Sequence, residues 1–331
     1  MFKLAGFIIL LISGMANANS LPMEVESITS NGEAISLKRV SGEFDYVEPS
    51  FSPDGQRFAY MRRQQGLWMA NIDGSNQVLL QKPTDPINML AHPRWSPDGM
   101  RIAYNASVGH SGESGDASIW ILDIATRKAS RIFSNLKVLG PRASVCAWSP
   151  DGTKVATTIP ADPEPYIAIL ELSSGNITEL RPKLKGITFP DWSPAGEHIL
   201  VGGDKHDTGE LWLVPLSGGP PQPLNTGGVG GKIARYSPDG EWIAFEAHSM
   251  VDSLRSWQSK RIALVSSDGG NPVYITSEKV FGPGLSFSGV RSLSWSTDNR
   301  TILASFINLY DEETAARAKL QALAVVDTSG R

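Results

Sequence analysis

Two groups of residues in this chain have chemistry to offer. The first is histidine, of which there are five. His92, His110, His206 and His248 fall near carboxylates: Glu113 and Asp116 follow His110, Asp204 and Asp207 flank His206, and Glu246 and Asp252 bracket His248. Neutral imidazole with a carboxylate is a ligand set for zinc, manganese or iron. No His-x-His or His-Glu-x-x-His spacing puts two of them on one face, and polar surface loops account equally for such residues. The second group is Arg94, Asp191 and Arg235, each two residues ahead of a serine that recurs along the chain. Paired guanidinium groups suit an acidic segment or an anionic ligand. The competing reading is that Arg94, Asp191 and Arg235 form structural ion pairs between neighbouring elements.

Other chemistries lack their residues. One cysteine, Cys146, cannot make an intramolecular disulfide or a thiolate metal cluster, and its apolar surroundings fit a buried, inert thiol. No Gly-x-Ser-x-Gly elbow occurs. Gly227-Gly228-Val229-Gly230-Gly231-Lys232 resembles a phosphate loop but has no Ser or Thr after the lysine, so a link between elements is expected. With 30 Lys+Arg against 34 Asp+Glu, the net charge of −4 gives no basic face for nucleic acid.

The elements that would position these residues repeat. The signal is an aromatic followed by Ser-Pro-Asp-Gly. It stands at Phe51–Gly55, Trp95–Gly99, Trp148–Gly152 and Tyr236–Gly240, as Trp192-Ser193-Pro194-Ala195-Gly196, and in degenerate form as Trp295-Ser296-Thr297-Asp298-Asn299. Successive serines are 44, 53, 44, 44 and 59 residues apart. Proline pre-sets φ, Asp suits the turn, and Gly tolerates the conformation that leaves it. An apolar, β-rich run follows each turn, then a second apolar run, an Asp/Gly turn and a short fourth strand. A four-stranded antiparallel unit at this period predicts an all-β propeller of six blades over residues 33–331. The sixth unit stops after its third strand. Residues 34–40 have no blade of their own and are expected to pair with 322–327, closing the ring. Trp95, Trp148, Trp192 and Trp295 are expected to fill the space between blades.

Ahead of the repeats, Lys3, an apolar stretch from Leu4 to Met15, and Ala16-Asn17-Ala18 read as a secretory signal peptide over residues 1–18. The apolar run is short for a membrane span, so membrane insertion is not expected. Residues 19–32 then form a short N-terminal extension, and the protein is expected in the periplasm or outside the cell.

These residues carry a resemblance. Aromatic-Ser-Pro-Asp-Gly, an apolar strand, and a second apolar strand ending in an Asp/Gly turn resemble the TolB-type, WD40-like propeller repeat over nearly the whole mature chain. TolB itself has an α/β domain where this sequence has the 15 residues 19–33. The resemblance implies a non-catalytic, monomeric module without a cofactor, binding an envelope or secreted protein or peptide. The long loops on one face and the central channel would form its binding surface, with Arg94, Asp191 and Arg235 lining the channel. The alternative is similar to propeller lyases, hydrolases and lactonases: an enzyme for a saccharide or small ligand. A divalent metal would then sit at the channel mouth on His92, His110, His206 and His248 with Asp204 or Asp207.

Overall fold

The computed structural model describes residues 7–13, 25–28, 34–39, 46–62, 65–85, 87, 89–107, 116–137, 146–161, 164–203, 209–248, 261–276, 285–311 and 322–327. The N-terminal segment contributes β1 (Phe7–Ser13), β2 (Val25–Ile28) and β3 (Ala34–Arg39). The first repeat folds as β4 (Tyr46–Phe51), β5 (Arg57–Arg62), β6 (Gly66–Asn71) and β7 (Val78–Gln81). The second gives β8 (Met89–Trp95), β9 (Arg101–Ser107), β10 (Asp116–Asp123) and β11 (Ala129–Lys137). The third gives β12 (Cys146–Trp148), β13 (Lys154–Ile159), β14 (Tyr166–Glu171) and β15 (Ile177–Leu180). The fourth gives β16 (Thr188–Trp192), β17 (His198–Gly202), β18 (Leu211–Pro215) and β19 (Gln222–Pro223). The fifth gives β20 (Gly230–Tyr236), β21 (Trp242–His248), β22 (Arg261–Ser266) and β23 (Val273–Tyr274). The sixth gives β24 (Leu285–Trp295), β25 (Thr301–Asp311) and β26 (Ala322–Asp327). No helix among the described residues is long and apolar enough to cross a membrane.

Each of the first five repeats is its own four-stranded antiparallel sheet. The inner strands β4, β8, β12, β16, β20 and β24 touch in that order, and β24 returns to β4. Apolar clusters sit between neighbouring sheets rather than within one. Met61, Leu67 and Met69 of the first repeat pack with Trp95, Ile102 and Tyr104 of the second. Trp148 and Cys146 pack with Ile119 and Phe133 of the second, and Trp192 packs with Ile167 and Ile169 of the third. Trp295 is buried as well, so the tryptophan column fills the interior as expected. Arg57 and Arg101, which open the second strands, stack over the next repeat's Trp95 and Trp148 at 5.4 and 4.9 Å.

The sixth sheet corrects the expected architecture of six four-stranded blades. It has six strands in the order β2-β3-β1-β26-β25-β24. The strand beside β26 is β1, not residues 34–40: Ile12 lies opposite Leu323 and Ser13 opposite Ala322, antiparallel. β3 lies one place further out, parallel to β1, with Phe7 opposite Ile35 and Leu11 opposite Arg39. The apolar run Phe-Ile-Ile-Leu-Leu-Ile suits a slot flanked by strands on both sides better than Ala34–Arg39, which ends in Lys38 and Arg39. Leu285–Val290 and Phe306–Asp311 extend the β24–β25 ladder beyond the length of the other repeats, with Leu285 opposite Asp311.

The repeated turn is built as its residue types require. In each copy the residue at the fifth position donates its N–H to the serine carbonyl, at 2.8–2.9 Å from the five glycines and 3.2 Å from Asn299. The glycines have φ of 67–77° and Asn299, which stands in for glycine, 59°. Asp54, Asp98, Asp151, Asp239 and Asp298 cap the turn, accepting the N–H two residues on at 2.9–3.1 Å while the serine hydroxyl lies 2.5 Å away. Ala195 cannot do this, so Glu197 turns its N–H to the Ser193 hydroxyl. Ala195→Asp is therefore expected to stabilise the protein by about 0.5–1 kcal/mol, read as a higher urea midpoint with an unchanged slope.

The caps also set acid sensitivity. Hydrogen bonds from Ser52 and the Gln56 N–H hold Asp54 below the usual carboxylate range. Ser149 and Thr153 bring Asp151 down to about 2. At Asp98 burial opposes the shift, but Ser96, Met100 and Arg101 together outweigh it. A carboxylate whose folded pKa is depressed contributes stability that is complete above its unfolded value and lost as pH falls through the folded one. Stability is expected to fall between pH 4 and pH 2. The triple variant Asp54→Asn, Asp98→Asn, Asp151→Asn should flatten that slope in acid melts, and an unchanged slope would remove the caps as its cause.

Candidate functional site

The inner strands do not run straight. Glu48, His92, Phe189 and Ile233, each four residues before the turn serine, have φ of 59, 52, 51 and 52°. Pairing with the second strand breaks at the same places: between Val47 and Ser50, Ala91 and Arg94, Thr188 and Asp191, and Lys232 and Arg235. In these four inner strands, β4, β8, β16 and β20, the left-handed residue forms a bulge, which bends the strand. None of these residues is glycine, so the sequence carries no signal for the bulge. A left-handed L-residue costs roughly 1–2 kcal/mol and persists only where its surroundings hold it.

The surroundings are a set of ties from one repeat to the next. Glu48 accepts the His92 backbone N–H at 2.6 Å, and the same oxygen lies 3.3 Å from His92 Nδ1. Ser50 Oγ accepts the Trp95 N–H at 3.2 Å, Asp191 the Tyr236 N–H at 2.8 Å, and Ser294 Oγ the Phe51 N–H at 2.9 Å. The last tie joins the sixth repeat to the first. Ser50, Asp191 and Ser294 all stand two residues before the turn serine, so an acceptor in that column ties the ring together. Asp191 is thus a structural member of the set.

Arg94 and Arg235 occupy the same column and cannot accept a hydrogen bond. There the tie runs differently. The Trp148 indole donates to the Arg94 carbonyl at 3.0 Å, and the Trp295 indole to the Arg235 carbonyl at 3.1 Å. The backbone makes the tie, and both guanidinium groups are released from it. Arg235 is buried, at 5% exposure. Its Nη1 donates to the carbonyls of Ala234, Phe189 and Pro190 at 2.9, 3.3 and 3.3 Å, while Nε and Nη2 have no hydrogen-bond partner. Arg94 is partly exposed, and its Nη1 donates to the Pro93 carbonyl at 3.3 Å.

The electrostatics tie these groups into one cluster. Burial, and then the like charge of Arg94, bring Arg235 down to about 9, against the pull of Asp191. Burial lowers Arg94, with Cys146, Asp191 and Glu48 opposing. Burial pushes Asp191 up, with Arg235 and the Tyr236 N–H opposing. Burial likewise raises Cys146 to about 11, so the thiol is protonated at neutral pH and inert, as expected. Among the described residues no ion pair joins a carboxylate to either guanidinium within 4 Å, so the competing reading of direct ion pairs between blades gives way to longer-range contacts.

The histidines fare differently. His92, a candidate ligand at the channel mouth, lies inside β8, buried, with its ring edge-on to Phe189 at 6.5 Å. His248 ends β21. His110, His206, Asp204 and Asp207 lie outside the described residues. Among the described residues no three His, Cys, Asp or Glu side chains form a group able to hold a metal. Gly227–Lys232 is a turn leading into β20, where Gly231 leaves no room for a Cβ against Phe245, as a link between elements requires.

Comparison with known proteins agrees with this architecture. TolB, a Tol-Pal system protein of Francisella tularensis subsp. mediasiatica, is 30% identical over 232 residues, covering 67% of this chain and 48% of its own length. The chain thus spans about half of that curated relative. The structure of a putative TolB from Agrobacterium tumefaciens superimposes with a TM-score of 0.61 at 21% identity, over 87% of this chain and 92% of that one. The oligogalacturonate lyase of Vibrio parahaemolyticus superimposes with a TM-score of 0.58 at 9% identity, over 89% and 80%, which is a likeness of fold alone. The family model for the TolB beta propeller domain matches residues 62–277. With its turns, its inner-strand bulges and its ties between repeats, the chain belongs to the TolB beta-propeller domain family.

Proposed function

We infer that this chain is an exported, monomeric, non-catalytic propeller that binds an envelope or secreted protein or peptide through its loop face and central channel. The observation that carries the reading is the pair Arg94 and Arg235. Both stand in a column whose other polar members, Ser50, Asp191 and Ser294, tie the ring, and neither guanidinium takes part in a tie. A surplus of guanidinium donors suits an acidic segment of a partner. The relationship to a Tol-Pal system protein supports an envelope setting. In this reading the sixth repeat acts as a sixth blade, and after the leader is removed β3 closes it. The test is cross-linking of the tagged protein in periplasmic extract, comparing wild type with Arg94→Gln. A partner recovered with wild type and reduced severalfold with Arg94→Gln supports the reading. Equal recovery with both, or a cytoplasmic location on fractionation, would sink it.

The second reading, a saccharide-acting enzyme with a divalent metal, draws on the likeness of fold to oligogalacturonate lyase. Metal analysis after gentle purification separates the two. A stoichiometric divalent metal lost with His92→Ala would favour the enzyme.

A further inference from the structure

We propose that β11, the outermost strand of the second repeat, is a docking edge that takes an extended acidic segment of a partner protein as an added strand. This surface is separate from the channel, and the proposal does not depend on what the channel binds.

The edge is long. The second sheet has the order β11-β10-β9-β8, so β11 is paired on one side only. The corresponding outer strands β7, β15, β19 and β23 have four, four, two and two residues, whereas β11 has nine. Folded proteins keep free strand edges short, because an open row of N–H and C=O groups is a template for another strand. β11 contains no proline that would blunt it.

Its open backbone groups can be placed. The Asp123 N–H donates to the Lys128 carbonyl at 3.0 Å. The pairing continues with Leu122 opposite Ala129, Ile121 opposite Ser130 and Trp120 opposite Arg131. Hydrogen-bonded and non-hydrogen-bonded pairs alternate along an antiparallel ladder. Counting from the bonded pair Asp123 and Lys128, Ala129 and Arg131 fall in the non-bonded positions. Their N–H and C=O groups therefore point away from β10, toward the free side. Beyond Arg131 the register shifts at Ile119, so Ala129–Arg131 is the regular stretch on which an added strand would set its register.

Charge selects the guest. Between Ile124 and Pro150 the chain has five basic residues, Arg127, Lys128, Arg131, Lys137 and Arg142, and no Asp or Glu, although its net charge is −4. Arg127, Lys128 and Arg131 are exposed. Among the described residues none of these three is in an ion pair. Arg127 is tethered to the Leu79 carbonyl of β7 at 3.2 Å, which leaves Lys128 and Arg131 to face a guest. A carboxylate on the added strand beside Arg131 would form a cross-strand charge pair. The backbone bonds would supply affinity and the basic side chains the preference for an acidic sequence.

The experiment is fluorescence anisotropy of the purified full chain with a labelled peptide of four Val-Glu repeats. Saturable binding that weakens severalfold between about 50 and about 300 mM sodium chloride is the expected result. The same peptide methylated on every backbone nitrogen keeps its charge but cannot pair along a strand, and should bind about tenfold more weakly or worse. Arg131→Glu should weaken the unmodified peptide about tenfold. The side chain is exposed and makes no ion pair, so the melting curve of this variant should match wild type, and Arg131→Gln should fall between the two in affinity. Hydrogen exchange should show the Ala129 and Arg131 amides gaining protection when the peptide binds. Equal binding of the methylated peptide would mean that charge alone attracts it, and would overturn the proposal. So would protection confined to other strands, or affinity unchanged in Arg131→Glu. If Arg94→Gln weakens the peptide and Arg131→Glu does not, the channel takes the acidic segment and this site falls. If sedimentation shows a dimer that Arg131→Glu dissociates, the edge is filled by a second copy of the chain, and the proposal falls as well.

Discussion

Arg235→Glu is expected to destabilise the protein by about 3–5 kcal/mol, the range for a buried charge left without its counterpart. The new carboxylate would face the carbonyls of Ala234, Phe189 and Pro190, which now accept from Nη1. Those carbonyls repel an anion. Asp191, already pushed up by burial, would lose the positive charge that opposes the shift. At roughly 2 °C per kcal/mol for a chain of this size, the melting temperature should fall by about 6–10 °C. Arg235→Met removes the hydrogen bonds without burying a charge and should cost less than the glutamate. Equal losses for Met and Glu would show that packing, not charge, governs this position. From the sequence, Arg235 is expected to line the channel, where its charge could be reversed at little cost; its 5% exposure rules that out, whereas Arg94 is partly exposed.

What could be read from the sequence was whatever has a local chemical signature. The turn copies announce themselves because serine, proline, aspartate and glycine each do one job at a fixed position. Two of the three departures, Ala195 and Asn299, are legible as a lost cap and a replaced glycine; the third, Thr297, replaces the proline. The tryptophan column and the buried cysteine followed from apolar neighbours. The inner-strand bulge was illegible because its left-handed positions hold Glu48, His92, Phe189 and Ile233, of which only histidine is a type enriched at φ > 0, and one histidine marks no column. The ties between repeats were illegible for another reason. Ser50, Asp191 and Ser294 differ in type and share only the ability to accept, so a column of them reads as mixed polar. The arginines stood out in that column for their charge, but their distinctive property is that they cannot accept. Phe7–Ser13 was read one way because an apolar run of that length serves equally as a leader or as a strand.

That last ambiguity leads to the prediction with the largest expected effect. A chain beginning at residue 19 should fold with a melting temperature close to that of the full chain, while one beginning at residue 43 should lose about 10 °C or aggregate. In the full chain β1 occupies the place beside β26. Removing it leaves the β26 edge open, with its N–H and C=O groups free to pair with another molecule. β3 is suited to move in. It runs parallel to β1, and β1 runs antiparallel to β26, so β3 already has the antiparallel direction that β26 requires. The shift is sideways by one strand spacing, about 4.8 Å, with no reversal of the chain. β2, paired antiparallel to β3, can travel with it. The chain beginning at 43 has neither strand and nothing to fill the place. Hydrogen exchange gives the direct readout: the amides of Ala322–Asp327 should stay protected in the chain beginning at 19 and exchange rapidly in the chain beginning at 43. Rapid exchange in both would mean that β3 does not take the position. Unchanged melting of the chain beginning at 43 would mean that the ring is held by the Ser294–Phe51 tie and the packing of Leu303 against Phe51, Phe58 and Tyr60, with no need of an N-terminal strand.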